Sequence, residues 1–193
     1  MKRFFISLGV TALALNCHAA AQNGKDAEAG ATAAKAAIKE LAGALQTELK
    51  GAMQAGGPVA AIGVCNTRAI PLTEKAATNH DMVLSRVSLK NRNPDNMPNN
   101  WQAAVLEDFE QQRSAGKDVT ALTWSETVST GDGREFRFMK AIPTAKICLQ
   151  CHGAKLVPEV GAILSQLYPE DRATGFAEGD IRGAFVAVQK LPD

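Results

Sequence analysis

The sequence carries almost no excess charge of either sign, since 21 lysines and arginines are set against 20 aspartates and glutamates. Without a basic excess, the composition gives no reason to expect binding to nucleic acid or to an anionic membrane surface. Long apolar runs are also missing, because the apolar stretch at residues 4–15 has about twelve positions and a bilayer needs about twenty. The composition therefore favours one globular domain that is not embedded in a membrane.

Cysteine and histidine are scarce, with four and three copies. Three of these seven residues nevertheless stand together in Cys148-Leu149-Gln150-Cys151-His152, which has the C-x-x-C-H spacing of a haem-attachment motif. Two thiols on one helical turn can reach the two vinyl groups of a haem, and the adjacent imidazole can then bind the iron. We expect one covalently bound haem c, attached to Cys148 and Cys151, with His152 as an axial ligand.

Two other interpretations of this motif need features that the sequence lacks. A structural zinc site needs four ligands, and the sequence has no second C-x-x-C and no paired histidines. A thioredoxin-type redox pair stands near the start of a strand–helix unit and has no histidine after it. The haem interpretation is therefore favoured over both.

The N-terminus has the three parts of a secretory signal peptide: Lys2-Arg3, the apolar stretch, and small residues at 19–21. We expect residues 1–21 to be removed and residues 22–193 to form a single domain in the periplasm. Removal takes two of the 21 bases and none of the 20 acids, which leaves 19 against 20 and a net charge of −1. It also removes Cys17, so Cys65 has no cysteine partner left in an oxidising compartment.

Hydrophobic periodicity predicts helices at residues 26–54, 71–79, 100–114 and 159–168, the first of them ended by Gly56-Gly57-Pro58. The first helix has an apolar stripe that suits a core or else a dimer seam: Ile38, Leu41, Leu45 and Leu49. Strand patterns occur at residues 82–87, 120–128, 134–140 and 181–188, and the middle two flank Gly131-Asp132-Gly133 as in a hairpin. Residues 59–65 form a short apolar run that is ambiguous between strand and turn, and Pro71 is expected near the first turn of its helix.

The order of these elements predicts the fold class. A four-helix cytochrome would have no hairpin before its haem motif and no strand after it. We therefore expect an α+β domain in which helices pack on one side of an antiparallel sheet.

The second axial ligand is left open by the residues alone. The mature chain offers His80, the thiol of Cys65 and the methionines Met53, Met82, Met97 and Met139. Each has an ordinary structural explanation, such as a core methionine, a solvated histidine or an inert buried thiol. A thiol buried beside ferric iron would, however, lose its proton and bind, because the metal stabilises the thiolate.

Several stretches resemble one family, and together they cover nearly the whole mature chain. They are Val64-Cys65, the R-x-S-L-K-x-R-N-P-x-N-x-P segment at residues 86–98 with Trp101, Phe136-Arg137-Phe138 before Ile142, the haem motif, and residues 179–184. The chain resembles the exported monohaem c-type proteins of cyanobacteria and proteobacteria, whose fold is similar to a PAS or sensor domain. The resemblance implies a PAS-like antiparallel sheet with flanking helices. It also implies that His152 and Cys65 are the two iron ligands.

Arg86, Lys90 and Arg92 in that segment are candidate partners for the haem propionates, because a guanidinium pairs bidentately with a carboxylate. Their alternative roles are to hold the local loop or to face solvent. We expect Arg86 and Arg92 to belong to the cofactor-binding site.

Three functions fit a single exported haem. The leading one is a sensor of redox state or of carbon monoxide or nitric oxide, in which the cysteine leaves the iron on reduction. The alternative is a periplasmic electron-transfer cytochrome. An enzyme such as a peroxidase is poorly supported and not expected, because His80 is the one free histidine. Many relatives join this domain to a signalling output, so we expect a separate signalling or redox protein as partner.

Overall fold

The structure is a computed structural model that describes the backbone of residues 11–192 and the side chains of residues 24–192. Residues 1–10, the first half of the predicted signal peptide, lie outside the described residues. In the described part of the chain, no helix combines the length and the apolar character needed to cross a membrane.

The N-terminal part of the described chain is a helical hairpin, α1 (Thr11–His80). Its two arms meet at Gly56 and Gly57, where the backbone leaves helical geometry and Gly57 takes a φ of 69°, a value that glycine adopts without strain. Pro58 then begins the second arm, a position where proline is well tolerated. The predicted end of the first helix at residues 56–58 is thus confirmed.

The two arms of α1 lie antiparallel and are joined by polar contacts between their exposed sides. Arg68 on the second arm is 3.3 Å from Glu48 on the first. Nearer the sheet, His80 Nε2 is 2.9 Å from Glu40 Oε2.

Two predictions about the second arm were wrong. Residues 59–65 are helical, not a strand or a turn, because burial of Ala61 and Ile62 against neighbouring elements stabilises a helix that the local pattern does not favour. Pro71 lies inside this helix and not near its first turn, because the helix starts at Pro58.

The remaining elements follow the sequence prediction closely. They are β1 (Val83–Val87), α2 (Asn100–Ser114), β2 (Thr123–Thr130), β3 (Gly133–Pro143), α3 (Leu149–His152), α4 (Pro158–Leu167) and β4 (Ile181–Leu191). The four strands form one antiparallel sheet in the order β1-β4-β3-β2. The predicted hairpin is β2–β3, and the last strand lies in the centre of the sheet.

The sheet is covered by helices on both faces, so the expectation of helices on one side was wrong. One face packs against α2 through buried residues that include Val105, Leu106, Phe109, Met139 and Val186. The other face packs against the first arm of α1 through residues that include Ile38, Leu41, Leu84, Phe136 and Phe138. The predicted stripe of the first helix is therefore core over Ile38 and Leu41, which are 3% and 0% exposed.

The end of β1 and the start of β4 are held unusually close, next to the haem motif. Gly183 in β4 has a φ of 155°, and a Cβ there would lie 2.3 Å from the carbonyl oxygen of Val87. Any side chain at this position would push the two strands apart. Gly183 therefore allows the end of β1 at Val87 and the start of β4 to lie close together. We call this place the corner of the sheet, and the candidate site lies beside it.

Candidate haem-binding site

The C-x-x-C-H motif occupies a short helix beside that corner. A 3-10 turn (Lys146–Cys148) leads into α3, and the Gly153 N–H closes the end of α3 on the carbonyl of Leu149 at 3.0 Å. Cys148 and Cys151 are three positions apart, which places them on one side of a helical turn. Both are partly buried and neither is in a disulfide. Their spacing is the one that two thioether bonds to a haem require.

His152 is held in the orientation that a metal ligand needs. Its Nδ1 is 2.7 Å from the carbonyl oxygen of Ala173, so Nδ1 carries the proton and donates it, and the lone pair is left on Nε2. Burial, with the positive charges of Arg182 and Arg92, lowers the pKa of His152 to about 3. The imidazole is therefore neutral at physiological pH, which is the form that binds iron.

Arg92 ties the loop after β1 to the haem motif. Its guanidinium donates to Asp171 Oδ2 at 3.0 Å and to the carbonyl of Cys151 at 2.6 Å. The other carboxylate oxygen of Asp171 accepts the N–H of Ala173 at 2.7 Å. The side chains of Arg92 and Asp171 are only 11% and 10% exposed. This buried pair thus positions both the motif and the carbonyl that orients His152.

Cys65 lies on the second arm of α1, on the side that faces the motif. Ile62, one helical turn earlier, packs with Val160 and Leu164 of α4, and Cys151 packs against that same cluster. Burial raises the pKa of the Cys65 thiol, and the charges of Arg86 and Arg92 partly oppose this. The side chain still reaches solvent, so the surrounding protein desolvates it without covering it. The structure places the predicted ligand Cys65 close to Cys151, because a charge on Cys65 raises the pKa of the Cys151 thiol.

Arg86 and Arg182 add two more cations to this region. Arg86 shares its face of β1 with Leu84, since alternate residues of a strand point the same way, and it interacts electrostatically with Cys65 and Tyr168. Arg182, at the start of β4, has its Nε 3.2 Å from His152 Nδ1 and 3.5 Å from Nε2. Burial, followed by the charge of Arg92, lowers the pKa of Arg182 to about 10. Sequence reasoning assigned no role to Arg182, although it lies in the matching segment at residues 179–184.

His80 and most of the methionines are placed elsewhere. His80 is fifteen residues beyond Cys65 on the same arm, which corresponds to about 22 Å along the helix axis, and it contacts Glu40. Met82 and Met139 are buried in the cores on opposite faces of the sheet, and Met97 is 60% exposed.

The donor set present fits a haem c. The motif supplies two thiols and one oriented neutral imidazole, and the neighbouring helix supplies a third thiol. Over residues 24–192, no three His, Cys, Asp or Glu side chains are grouped as a protein-only metal site would require.

An α+β domain of PAS-like architecture, with a C-x-x-C-H helix at the corner of its sheet, is the class that this fold and site define. The chain belongs to the Tll0287-like family, whose sequence model matches residues 15–189. It is similar to the crystal structure of the cyanobacterial heme-protein Tll0287, with 25% identity over 84% of this chain and 92% of that chain and a TM-score of 0.57. No curated protein matches the chain. The family and the PAS-like fold expected from the sequence are confirmed.

Proposed function

We propose that this chain is an exported monohaem c-type cytochrome that senses redox state or a diatomic gas such as carbon monoxide or nitric oxide. Its relationship to a haem protein supports haem binding. The leader-like residues 1–21 support export, and residues 22–193 would then act in the periplasm as a binding protein without enzymatic activity. Any signalling or redox output would belong to a separate protein.

The residues would hold the cofactor from two sides. Cys148 and Cys151 would attach it, His152 would bind iron through Nε2, and Cys65 would bind from the second arm of α1. When bound, the haem supplies an iron that exchanges one electron and binds diatomic gases. The protein would supply two iron ligands: His152, which is held in place, and Cys65, which can exchange.

The observation that carries the sensing proposal is the unequal support of the two ligands. His152 is largely buried, and its Nδ1 is fixed by Ala173, which is itself held by the Arg92–Asp171 pair. Cys65 is solvent-exposed, and among residues 24–192 no hydrogen bond orients its sulfur. A ligand of this kind exchanges more easily than one held by a hydrogen-bonded network.

Release of Cys65 would change the contacts of the second arm. This arm packs against α4 through Ile62 and contacts the first arm through the ion pair of Arg68 with Glu48. A signal that removes the Cys65 bond thus favours a different position of the arm, which is the differential interaction that a two-state switch requires.

The test is carbon monoxide binding to the reduced holoprotein. Thiolate is a poor ligand for ferrous iron, so we expect the reduced wild type to bind carbon monoxide without denaturant, with a shifted Soret band. Cys65→Met is the matched control, because a thioether remains on ferrous iron in Met/His cytochromes c. This variant should bind carbon monoxide at least tenfold more weakly.

A reduced wild type that stays low-spin, excludes carbon monoxide and exchanges electrons rapidly at an electrode would contradict sensing. That result would identify the chain as a periplasmic electron-transfer cytochrome. Turnover of hydrogen peroxide by the wild type would instead show an enzyme.

A further inference from the structure

Two of the three arginines around the candidate site have no carboxylate to pair with. Arg92 is paired with Asp171. In the part of the chain with described side chains, neither Arg86 nor Arg182 has an aspartate or glutamate within ion-pair distance. Both are largely enclosed by protein, and burial lowers the pKa of each guanidinium. Asp171 acts on Arg182 only from beyond ion-pair distance, because it is paired with Arg92. An enclosed cation without a paired carboxylate is costly, so this corner of the fold suits an anion.

The surroundings of Arg182 hold its guanidinium at the candidate site. Nη1 donates to Ser88 Oγ at 3.1 Å and to the carbonyl of Lys90 at 3.3 Å. The guanidinium carbon lies 5.3 Å from the centre of the Phe176 ring, and Nε lies 3.2 Å from Nδ1 and 3.5 Å from Nε2 of His152. These partners are neutral at physiological pH, so they orient the positive charge without neutralising it.

Arg92 differs from the other two arginines because it already has a carboxylate partner, Asp171. It donates to Asp171, to Cys151 and, at 3.4 Å, to the carbonyl of Ala173. A further carboxylate would have to compete with Asp171. The assignment of Arg92 as a propionate partner, expected from the sequence, is therefore less favourable than one to Arg182.

We propose that Arg182 and Arg86 form a carboxylate-binding site that receives the propionate edge of the haem, with Arg92 acting as a structural clamp. The inference rests on the proposed function. It orients the cofactor with its vinyl edge toward Cys148 and Cys151 and its propionate edge toward the corner where β1 and β4 meet. Guanidinium groups suit this task because they bind carboxylates bidentately and stay charged when enclosed.

The predicted consequence is electrostatic. A cation next to the haem disfavours the more positive ferric state, so loss of the Arg182 charge should favour the ferric form. We expect Arg182→Gln to change the ferric-to-ferrous ratio at a fixed potential about tenfold, which corresponds to about 59 mV for one electron. Arg86→Gln should shift it in the same direction.

The experiment compares reduction potentials of purified holoproteins by spectroelectrochemistry. Arg182→Lys keeps the charge and should stay near the wild type, and Arg172→Gln is the matched control because it removes an exposed arginine next to Asp171. Redox-difference infrared spectra of the same samples should show altered propionate carboxylate bands in Arg182→Gln and unchanged bands in Arg172→Gln. A purely structural role for Arg182 would not produce this selective change.

Three outcomes would overturn the inference. One is an unchanged potential and unchanged carboxylate bands in both Arg182→Gln and Arg86→Gln with the haem still attached. A second is a larger band shift in Arg92→Gln than in Arg182→Gln. The third is a wild-type potential that depends on added acetate, because the site would then hold an exchangeable anion. Failure of the proposed function is distinguishable because it shows in the wild type itself, either as a lack of covalent haem or as a reduced form that excludes carbon monoxide.

Discussion

The guanidinium of Arg92 donates a 2.6 Å hydrogen bond to the carbonyl oxygen of Cys151, 59 residues further along the chain. The same guanidinium pairs with Asp171. One side chain therefore links the loop after β1, the attachment helix and the segment that orients His152. A structural change at the motif would therefore reach that loop through the side chain of Arg92.

Breaking the Arg92–Asp171 pair should strongly destabilise the fold. Asp171→Asn leaves Arg92 enclosed without its counter-charge, and loss of one partner of a buried pair costs about 3–5 kcal/mol. Denaturant unfolding of the holoprotein measures this. The control is Glu48→Gln, because its partner Arg68 is 52% exposed and exposed pairs contribute about 0–1 kcal/mol. Equal effects of the two substitutions would show that the Arg92 pair is not a structural clamp.

Substitution by alanine should have opposite effects on the stability of the protein at two glycines in the first arm of α1. A Cβ at Gly30 would lie 2.6 Å from a ring carbon of Phe136, whereas a Cβ at Gly43 meets nothing within 4 Å. Gly43→Ala should stabilise the protein by up to about 1 kcal/mol through helix propensity. Gly30→Ala gains the same propensity but overpacks the core, which costs about 1–3 kcal/mol. Thermal unfolding should give a higher Tm for Gly43→Ala than for Gly30→Ala, and the reverse order would contradict this packing of α1 on the sheet.

The stability of the variant Cys148→Ser with Cys151→Ser, stripped of haem, should decrease as the pH is lowered. The pKa of His152 is lowered from 6.5 to about 3, so between these values the unfolded chain binds a proton that the folded chain does not. Stability is then complete above pH 6.5 and is lost as the pH falls toward 3, by about 4–5 kcal/mol in total. Urea unfolding across this range measures the slope.

Adding His152→Gln to that variant removes the titrating group. The dependence on pH should then become clearly shallower. An identical slope in both proteins would show that His152 is not held neutral by its surroundings.

Local signals in the sequence predicted much of this fold. Apolar periodicity predicted α2 at residues 100–114, and the structure adds a reciprocal capping box between Asn99 and Gln102 at its start. The β2–β3 hairpin was predicted from its Gly-Asp-Gly turn. The helical state of residues 59–65 was not, because it depends on packing against α4 and the first arm.

The candidate site also combines a feature that the local sequence predicts with contacts that it does not predict. Its attachment motif is five consecutive residues and can be recognised from the sequence alone. The Arg92–Asp171 pair joins residues 79 positions apart, and the approach of Arg182 to His152 depends on how β4 enters the sheet. Such contacts have no local signature, so they became visible only in the folded chain.

Haem attachment through Cys148 and Cys151 can be checked by extraction. After periplasmic expression with a maturation system, acidified acetone should leave the colour with the protein, because thioether bonds survive this treatment. Cys148→Ser with Cys151→Ser should release any remaining haem into the solvent. Release of the haem from the wild type would contradict covalent attachment.

Binding of the iron by both His152 and Cys65 can be tested with the ferric optical and electron paramagnetic resonance spectra. We expect the wild type to be low-spin with a thiolate charge-transfer band. Cys65→Ala should lose that band, and His80→Ala should keep it, because His80 lies about four turns away beside Glu40. A spectrum that is unchanged in Cys65→Ala and altered in His80→Ala would contradict ligation by Cys65 and identify a bis-histidine haem.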